Sequence, residues 1–554
     1  MSLLREIKIE DQDRRLLMAF CWAGIGILSL AGLMALLMVL NRTPAIAMTS
    51  PSLYYQALTG HSILMFIFWL SFIQTAFLIA AGTVLIGRRL WSYLLAWIGY
   101  AVMLLAAVLS LLGVLLGADI TYMATLPLAQ DYSASWLIYF SFLVLSVGML
   151  IVVVAFILTI FGAVERPFEF DSWVGFLKDI PISTFAAIAG LIMVLPGLIA
   201  AFKAFVPGFL WSLGFISLDQ MTYRMNWHIA FHIYHYIPAL TLVGVTYVLV
   251  EVIFDAHSVY AKPIAKALFL LYPFFVPPTF IYHLLVDPSI PEGIKFIGSA
   301  LSLLTGTPTI LHMFIIVGMV EARMRRSGHS VFGWLGHLPW GNPAFGSVVM
   351  GMVTLFVAGL LSYVLLQRQL SPMLHNTFVV PAYIHPMAAG GANLTYMGAL
   401  YYAVPILMGR QLWGVGLARI QPYLLGGALL LMSVAGTAAG LAGVPRRVPW
   451  IPFGVDNPAS WAPLMNLSKG VGGTLAIAAG IIFVLVIVMT VMVGRKASYT
   501  EEAIKGMEPR TSPIKIDYVH TPVALIPPLL FVAGVIILTY FAFGLLRGMP
   551  ILAP

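Results

Sequence analysis

HNTFVVPAYIHPM, His375 to Met387, opens a long apolar run. It holds two imidazoles ten positions apart, His375 and His385, and a phenol, Tyr383, just before the second. Polar rings in a lipid-length apolar segment are expensive, and they usually face a partner or a cofactor. The stretch therefore asks two things at once: whether the chain is a membrane bundle, and what in such a bundle needs imidazoles.

The rest of the chain answers the first. Of 554 residues, 61% are hydrophobic and 9% charged, against about 25% charged in soluble domains. A water-soluble chain of this size could not hide so much apolar surface, so the fold class is an all-α polytopic membrane bundle in contact with lipid. The net charge of +8 reads as topology rather than as a nucleic-acid footprint. A single cysteine, Cys21, allows neither a disulfide framework nor a thiolate metal site. The N-terminus MSLLREIKIEDQDRRLLMAF lacks a small-residue cleavage site, so the first apolar segment is expected to be retained.

A span needs about 20 apolar residues. Thirteen candidates follow: about 16–40, 56–86, 91–116, 134–163, 182–206, 224–254, 264–286, 294–320, 345–368, 376–408, 419–442, 467–494 and 521–546. Prolines make the fifth and seventh the least regular (Pro196; Pro273, Pro277, Pro278). Twenty of the 29 Lys and Arg fall on one side if the N-terminus is cytoplasmic, with Arg14, Arg15, Arg88, Arg89, Arg323, Arg325, Arg326, Arg495 and Lys496 among them. The expected orientation is N-terminus in, C-terminus out. No soluble domain or convincing repeat is visible, so residues 1–554 read as one transmembrane unit.

Alternating spans give depth. At about 1.5 Å per residue, His61 in span 2 and His385 in span 10 lie in the outer half of the bilayer at similar depth. His228, His232 and His235 occupy the first turns of span 6 at i, i+4 and i+7, one helix face, and His283 lies near the outer end of span 7. Imidazoles from four helices thus converge on one level. A trio on one face fits a metal or heme site, since nitrogen donors suit copper, iron and zinc; the plainer alternative is a polar stripe on a wet cavity. His61 and His385 each offer one imidazole from its own helix, which suits the two axial positions of a low-spin heme; the alternative is a backbone hydrogen bond for each. His312 alone reads as an interior histidine with a partner. His257, His329, His337 and His520 read as surface residues.

The chain resembles subunit I of the heme-copper oxidase superfamily, most like the B-type cytochrome c oxidases, whose subunit I also has thirteen spans. The resemblance is carried by LTGHSILMF (58–66), LLVDPSIPEGIKFIGSALSLLTGTPTI (284–310), VFGWLGHLPWGNPAF (331–345), LHNTFVVPAYIH (374–385) and AGVPRRVPW (442–450), in order on the right spans. It implies that His61 and His385 bind a low-spin heme of b or a type, that Arg446 and Arg447 hold heme propionates, and that His375, with Asn376 and Thr377, lies at the outer edge of the cofactor site. Guanidinium groups in an otherwise charge-poor outer loop agree with this. It further implies an outer-face electron-donor subunit resembling subunit II, other respiratory subunits, and the cell (plasma) membrane of a prokaryote. Loops 41–55, 117–133 and 443–466, with Trp450 and Trp461, are the expected docking surfaces.

The match departs from the family at the chemistry. Tyr383 stands where the family has the histidine on its high-spin heme. Tyr282 and His283 stand where it has adjacent histidines on copper, and His232 follows His228 where it has a tyrosine. On the polar proton route, Thr305, Thr307 and Thr309 remain, but Leu240 and Gly244 replace tyrosines. One expectation is an oxidoreductase with a remodelled site. Tyr383 would ligate a second, high-spin heme as tyrosinate, and His228, His232 and His283 would hold copper beside Tyr282. O2 would be reduced there, with Tyr282, Tyr383 and His232 as the catalytic groups. The alternative is a degenerate paralogue that keeps the low-spin heme and serves electron transfer or assembly. A nitric-oxide-reductase-like chain would need a glutamate in span 6, and none occurs there before Glu251. A non-redox transporter would need all five motifs to be coincidence.

Overall fold

Where lipid excludes water, each backbone N–H and C=O must be satisfied within the segment, and runs of Leu, Ile, Val, Ala and Phe do this as helices. A computed structural model describes residues 9–48, 50–118, 134–162, 177–254, 262–285, 287–368, 370–450, 457–498 and 500–507, with 526–527, 529–530, 532–534 and 536. Ten helices in it are long and apolar enough to cross a bilayer. They are α1 (Asp11–Arg42), α2 (Pro51–Ile86), α3 (Tyr93–Leu115), α4 (Ser135–Phe161), α5 (Ile182–Ser212), α6 (Gln220–Phe254), α8 (Glu292–Arg326), α9 (Pro343–Leu365), α11 (Val415–Leu441) and α12 (Trp461–Val493). A bent pair, Lys262–Phe275 and Pro277–Leu284, forms α7 with a 44° break. The expected tenth span is α10, three consecutive helical pieces: Val379–His385, Pro386–Asn393 and Leu394–Met408. The expected span at 521–546 and the loop at 117–133 lie largely outside the described residues.

Local chemistry explains the irregular elements. In α7, Pro277 and Pro278 remove two amide donors, and the chain continues as a 3-10 helix over Pro277–Leu284. In α5, Pro196 and Pro207 stay inside a 31-residue helix, so the Pro196 that made this span doubtful does not end it; buried neighbours tolerate the break in the ladder. Three spans contain π-helical segments: Leu64–Trp69 in α2, Pro386–Asn393 in α10 and Asn466–Gly473 in α12. The one in α10 starts at a proline, which cannot complete the i to i−4 ladder, and π segments recur at functional sites.

Packing is set by small residues, because lipid gives helices no hydrophobic reason to associate. A Cβ at Gly440 of α11 would collide with the backbone nitrogen of Val379, so glycine lets α11 close against the start of α10. The interior is aromatic and wholly covered: Trp69, Trp227, Tyr247, Tyr272, Tyr396 and Tyr401. Leu94, Phe215, Val434 and Met492 point outward, each more than two-thirds exposed (72%, 72%, 69% and 68%), as lipid-facing side chains would. Arg410 and Lys496 bridge two loops at one end of the bundle, and Thr377 and Pro445 bridge two at the other.

Candidate functional site

The second bridge builds the rim of the site. Phe378 N donates to the Val444 carbonyl at 2.7 Å, and Arg446 N to the Asn376 carbonyl at 3.1 Å. This short antiparallel contact ties the entry of α10 to the loop after α11. Arg446 Nη2 also donates to Asn376 Oδ1 at 3.2 Å, and Arg447 has φ +60°, a strained position for a side chain other than glycine. Burial, and then the adjacent Arg446 charge, pulls the Arg447 guanidinium down to about 9. Burial pushes His375 down to about 3, with Arg446 and Arg447 adding to the effect. A half-buried arginine pair, strained at Arg447, beside an imidazole is a poor environment for itself and a good one for carboxylates.

Beneath that rim, α2 and α10 bring His61 and His385 together with their rings in near-parallel planes. Their ring centres lie 6.4 Å apart with planes 13° from parallel. His61 Nδ1 contacts the Ala31 carbonyl at 3.1 Å and His385 Nδ1 the Pro381 carbonyl at 2.7 Å. With each Nδ1–H committed, Nε2 is the nitrogen left to a ligand, and backbone anchors of this kind orient metal-binding histidines. Two metal–nitrogen bonds of about 2 Å plus the ring radii come to about 6 Å, so the 6.4 Å separation of the ring centres matches that of two imidazoles on one ion. The π segments of α2 and α10 are joined behind them. Trp69 Nε1 donates to Asn393 Oδ1 at 2.9 Å, and Asn393 Nδ2 contacts Met65 Sδ at 3.5 Å.

A second cluster gathers on α6, α7 and α10. His228 and His283 stack at 4.7 Å, 11° from parallel, and His232 meets His283 edge-on at 4.7 Å. His375 lies 5.3 Å from Tyr282 and 5.4 Å from His283. His232 Nδ1 contacts Thr279 Oγ1 at 2.8 Å, whereas His228 Nδ1 is buried without a partner. The Arg224–Asp287 ion pair at 2.9 Å fastens the start of α6 to the exit of α7. Tyr282 and Tyr383 share a hydrogen bond, oxygen to oxygen 3.2 Å, and both are 7% exposed. Among the described residues, no group of three or more His, Cys, Asp or Glu side chains is arranged to hold a metal ion.

The structure separates two histidines that sequence spacing grouped or left alone. His235 leaves the face of His228 and His232: its ring packs on Phe66 of α2 at 4.8 Å. His312 is wholly buried with Nδ1 3.1 Å from Tyr247 Oη, an interior histidine with a partner. Sequence spacing missed Trp69, Asn393 and Lys469. The first two close the π segments on each other, and Lys469 sits in the third. Pro386 directly after His385 and the glycine pairs 390–391 and 472–473 were the available signal for those segments.

Comparison with known proteins bears on the whole arrangement. Residues 15–475 match the family model described as cytochrome C and quinol oxidase polypeptide I. Cytochrome c oxidase subunit 1 of Thermus thermophilus is 34% identical over 192 residues, 34% of either chain. A second such sequence from Thermus thermophilus is 35% identical over 107 residues, 19% of this chain and 97% of that one. Cytochrome c oxidase subunit 1 of Candida albicans is 26% identical over 148 residues, 26% of this chain and 28% of that one. The first match thus spans about a third of its relative's length. A heme-copper terminal oxidase dimer solved by cryo-EM has a similar fold, with TM-score 0.78 and 20% identity over 97% of this chain and 92% of that one.

Proposed function

The chain belongs to the cytochrome C and quinol oxidase polypeptide I family, and we propose that within it the chain is an electron-carrying respiratory subunit. In this reading it holds one low-spin heme of b or a type between His61 and His385, and its second, reactive site is closed. Bound there, the heme supplies one-electron redox chemistry. His61 and His385 would hold the iron through Nε2, and the Ala31 and Pro381 carbonyls hold both rings in the tautomer that leaves Nε2 free. Arg446 and Arg447 would hold the propionates, with His375 beside them. The aromatic and aliphatic walls keep water away. The observation that carries the assignment is the pair of near-parallel rings 6.4 Å apart.

Closure of the second site is supported by the Tyr282–Tyr383 hydrogen bond. By resemblance, a high-spin heme would lie between residue 383 and the copper ligands of α6 and α7. Bonds of about 2 Å on either face of an iron set opposing ligand atoms about 4 Å apart. Two phenol oxygens in direct contact at 3.2 Å do not fit a porphyrin between them, and we derive no step through one. The second reading, O2 reduction with Tyr383 on a high-spin heme and copper on His228, His232 and His283 beside Tyr282, is favoured by the convergence of those three imidazoles.

Residues 1–554 then act as one transmembrane unit in the plasma membrane of a prokaryote, N-terminus in. An outer-face donor subunit resembling subunit II would dock over the rim loops with Trp450 and Trp461. Purified protein tests the reading through its reduced-minus-oxidised spectrum, pyridine hemochrome and copper content. One heme and no copper per chain are expected, with a low-spin α band that His61→Ala or His385→Ala abolishes. Two hemes with one copper favour the second reading, and no α band in the unaltered protein rejects both.

A further inference from the structure

Lys469 belongs to neither the histidine pattern nor the motifs that carry the resemblance. It lies in the π segment of α12 and is 8% exposed. The backbone around it is pinned. Asn466 Oδ1 accepts from Ala45 N at 3.0 Å, and Ser468 Oγ donates to the Met432 carbonyl at 3.2 Å. The segment lies so close to α1 that a Cβ at Gly473 would come 2.8 Å from Val39.

Its ammonium stands 5.3 Å from the centre of the Phe378 ring, and the Arg42 guanidinium stands 5.2 Å from the same ring. Arg42 is itself buried, with donors given to the carbonyls of Pro445 and Val448. Among the described residues no carboxylate pairs with Lys469 or Arg42. With Arg446 and Arg447 on the loop that Arg42 holds, four cations gather at one rim. Attraction to one aromatic face is weak and does not offset burial and mutual repulsion. The arrangement is short of negative charge.

The missing charge has a definite place. Phe378 directly precedes α10, and His385 lies two turns further along it. The geometry points to Lys469 as a cofactor-contacting residue: its ammonium is the counter-charge of a heme carboxylate at the His61–His385 site and raises that heme's reduction potential. This rests on the heme reading above. Arg446 and Arg447 offer planar forks that fix a carboxylate's orientation. Lysine offers a point charge from another element, α12. A fixed cation in a dry site favours the reduced heme, which carries one more negative charge than the oxidised form.

Redox titration of the low-spin α band in purified wild type, Lys469→Met and Lys469→Arg tests this. In Lys469→Met the ratio of reduced to oxidised heme at a fixed potential is expected to fall at least tenfold, about 59 mV for one electron, with the band keeping its position and heme content. Lys469→Arg is expected to stay within a few-fold of wild type. A Lys469→Met protein that titrates with wild type overturns the inference. If Lys469→Met loses its heme, the charge-keeping variant decides: heme retained in Lys469→Arg supports the role, and heme lost there too overturns it. A wild type without an α band fails the heme reading itself, a different result from any of these.

Discussion

At the scale of single residues, the two clusters differ in what their polar atoms do. His61 and His385 spend one nitrogen each on the backbone and keep the other. Tyr282 and Tyr383 spend their hydroxyls on each other. The first pattern leaves one nitrogen per ring uncommitted, and the second pairs both hydroxyls. His375 stands beside Tyr282 and His283, and its titration has a measurable consequence. Its native value of about 3 lies below the ordinary 6.5, so unfolding takes up a proton between those limits. Its contribution to stability is therefore complete above about pH 6.5 and is lost as pH falls toward 3. Thermal melts in detergent across that window are expected to fall with pH in wild type and to fall less steeply in His375→Asn; parallel slopes would show that His375 does not set the dependence.

At the scale of elements, the π segments decide which side chains meet. Each inserts a register shift, so the residues before and after it present different faces than a regular helix would. In α10 the shift follows His385 directly, and in α2 it begins just after His61. The Trp69–Asn393 hydrogen bond fastens the two shifts together, and Trp69 is wholly buried. Asn393→Leu would leave the indole N–H without an acceptor, a loss of about 1–3 kcal/mol. The expected outcome is a lower melting temperature together with a broadened α band, since the two histidine helices lose their tie. An unchanged melt would mean that the π segments are held by packing alone. These segments were hardly legible in the sequence. Pro386 announces a break in a helix, but whether a break becomes a kink, a bulge or an end depends on the neighbours that re-satisfy the freed carbonyls.

At the scale of the whole molecule, the bundle is a scaffold that holds one level of chemistry near one end. The rim loops, the His61–His385 pair and the phenol–imidazole cluster all lie toward the Thr377–Pro445 bridge, and the Arg410–Lys496 bridge marks the other end. From the charge bias in the loops, the rim is expected to be the outer face. Single cysteines in a Cys21→Ser background test it. Asn376→Cys is expected to react with an impermeant maleimide added to intact cells, and Ser498→Cys only after lysis. The reverse pattern would invert the orientation and with it the side from which a donor subunit docks. Cys21 itself is buried, which keeps the background low.

The amino-acid sequence by itself determined the membrane bundle and the family, because lipid imposes a length and a composition that any long apolar run reveals. It also singled out His61, His385 and the Arg446–Arg447 pair, because a polar ring or a charge in an apolar setting is conspicuous without knowing its neighbours. Only the tertiary structure decided what those residues face. The i, i+4, i+7 spacing of α6 put three histidines on one side, yet Phe66 of α2 takes His235 while His283 of α7 takes the other two. The direct contact of Tyr282 with Tyr383, and the meeting of Lys469 and Arg42 across Phe378, join residues from distant spans. Pattern along one helix gives a direction, but distance between helices comes from packing, and it is distance that separates two imidazole rings 6.4 Å apart from two phenols in hydrogen-bond contact.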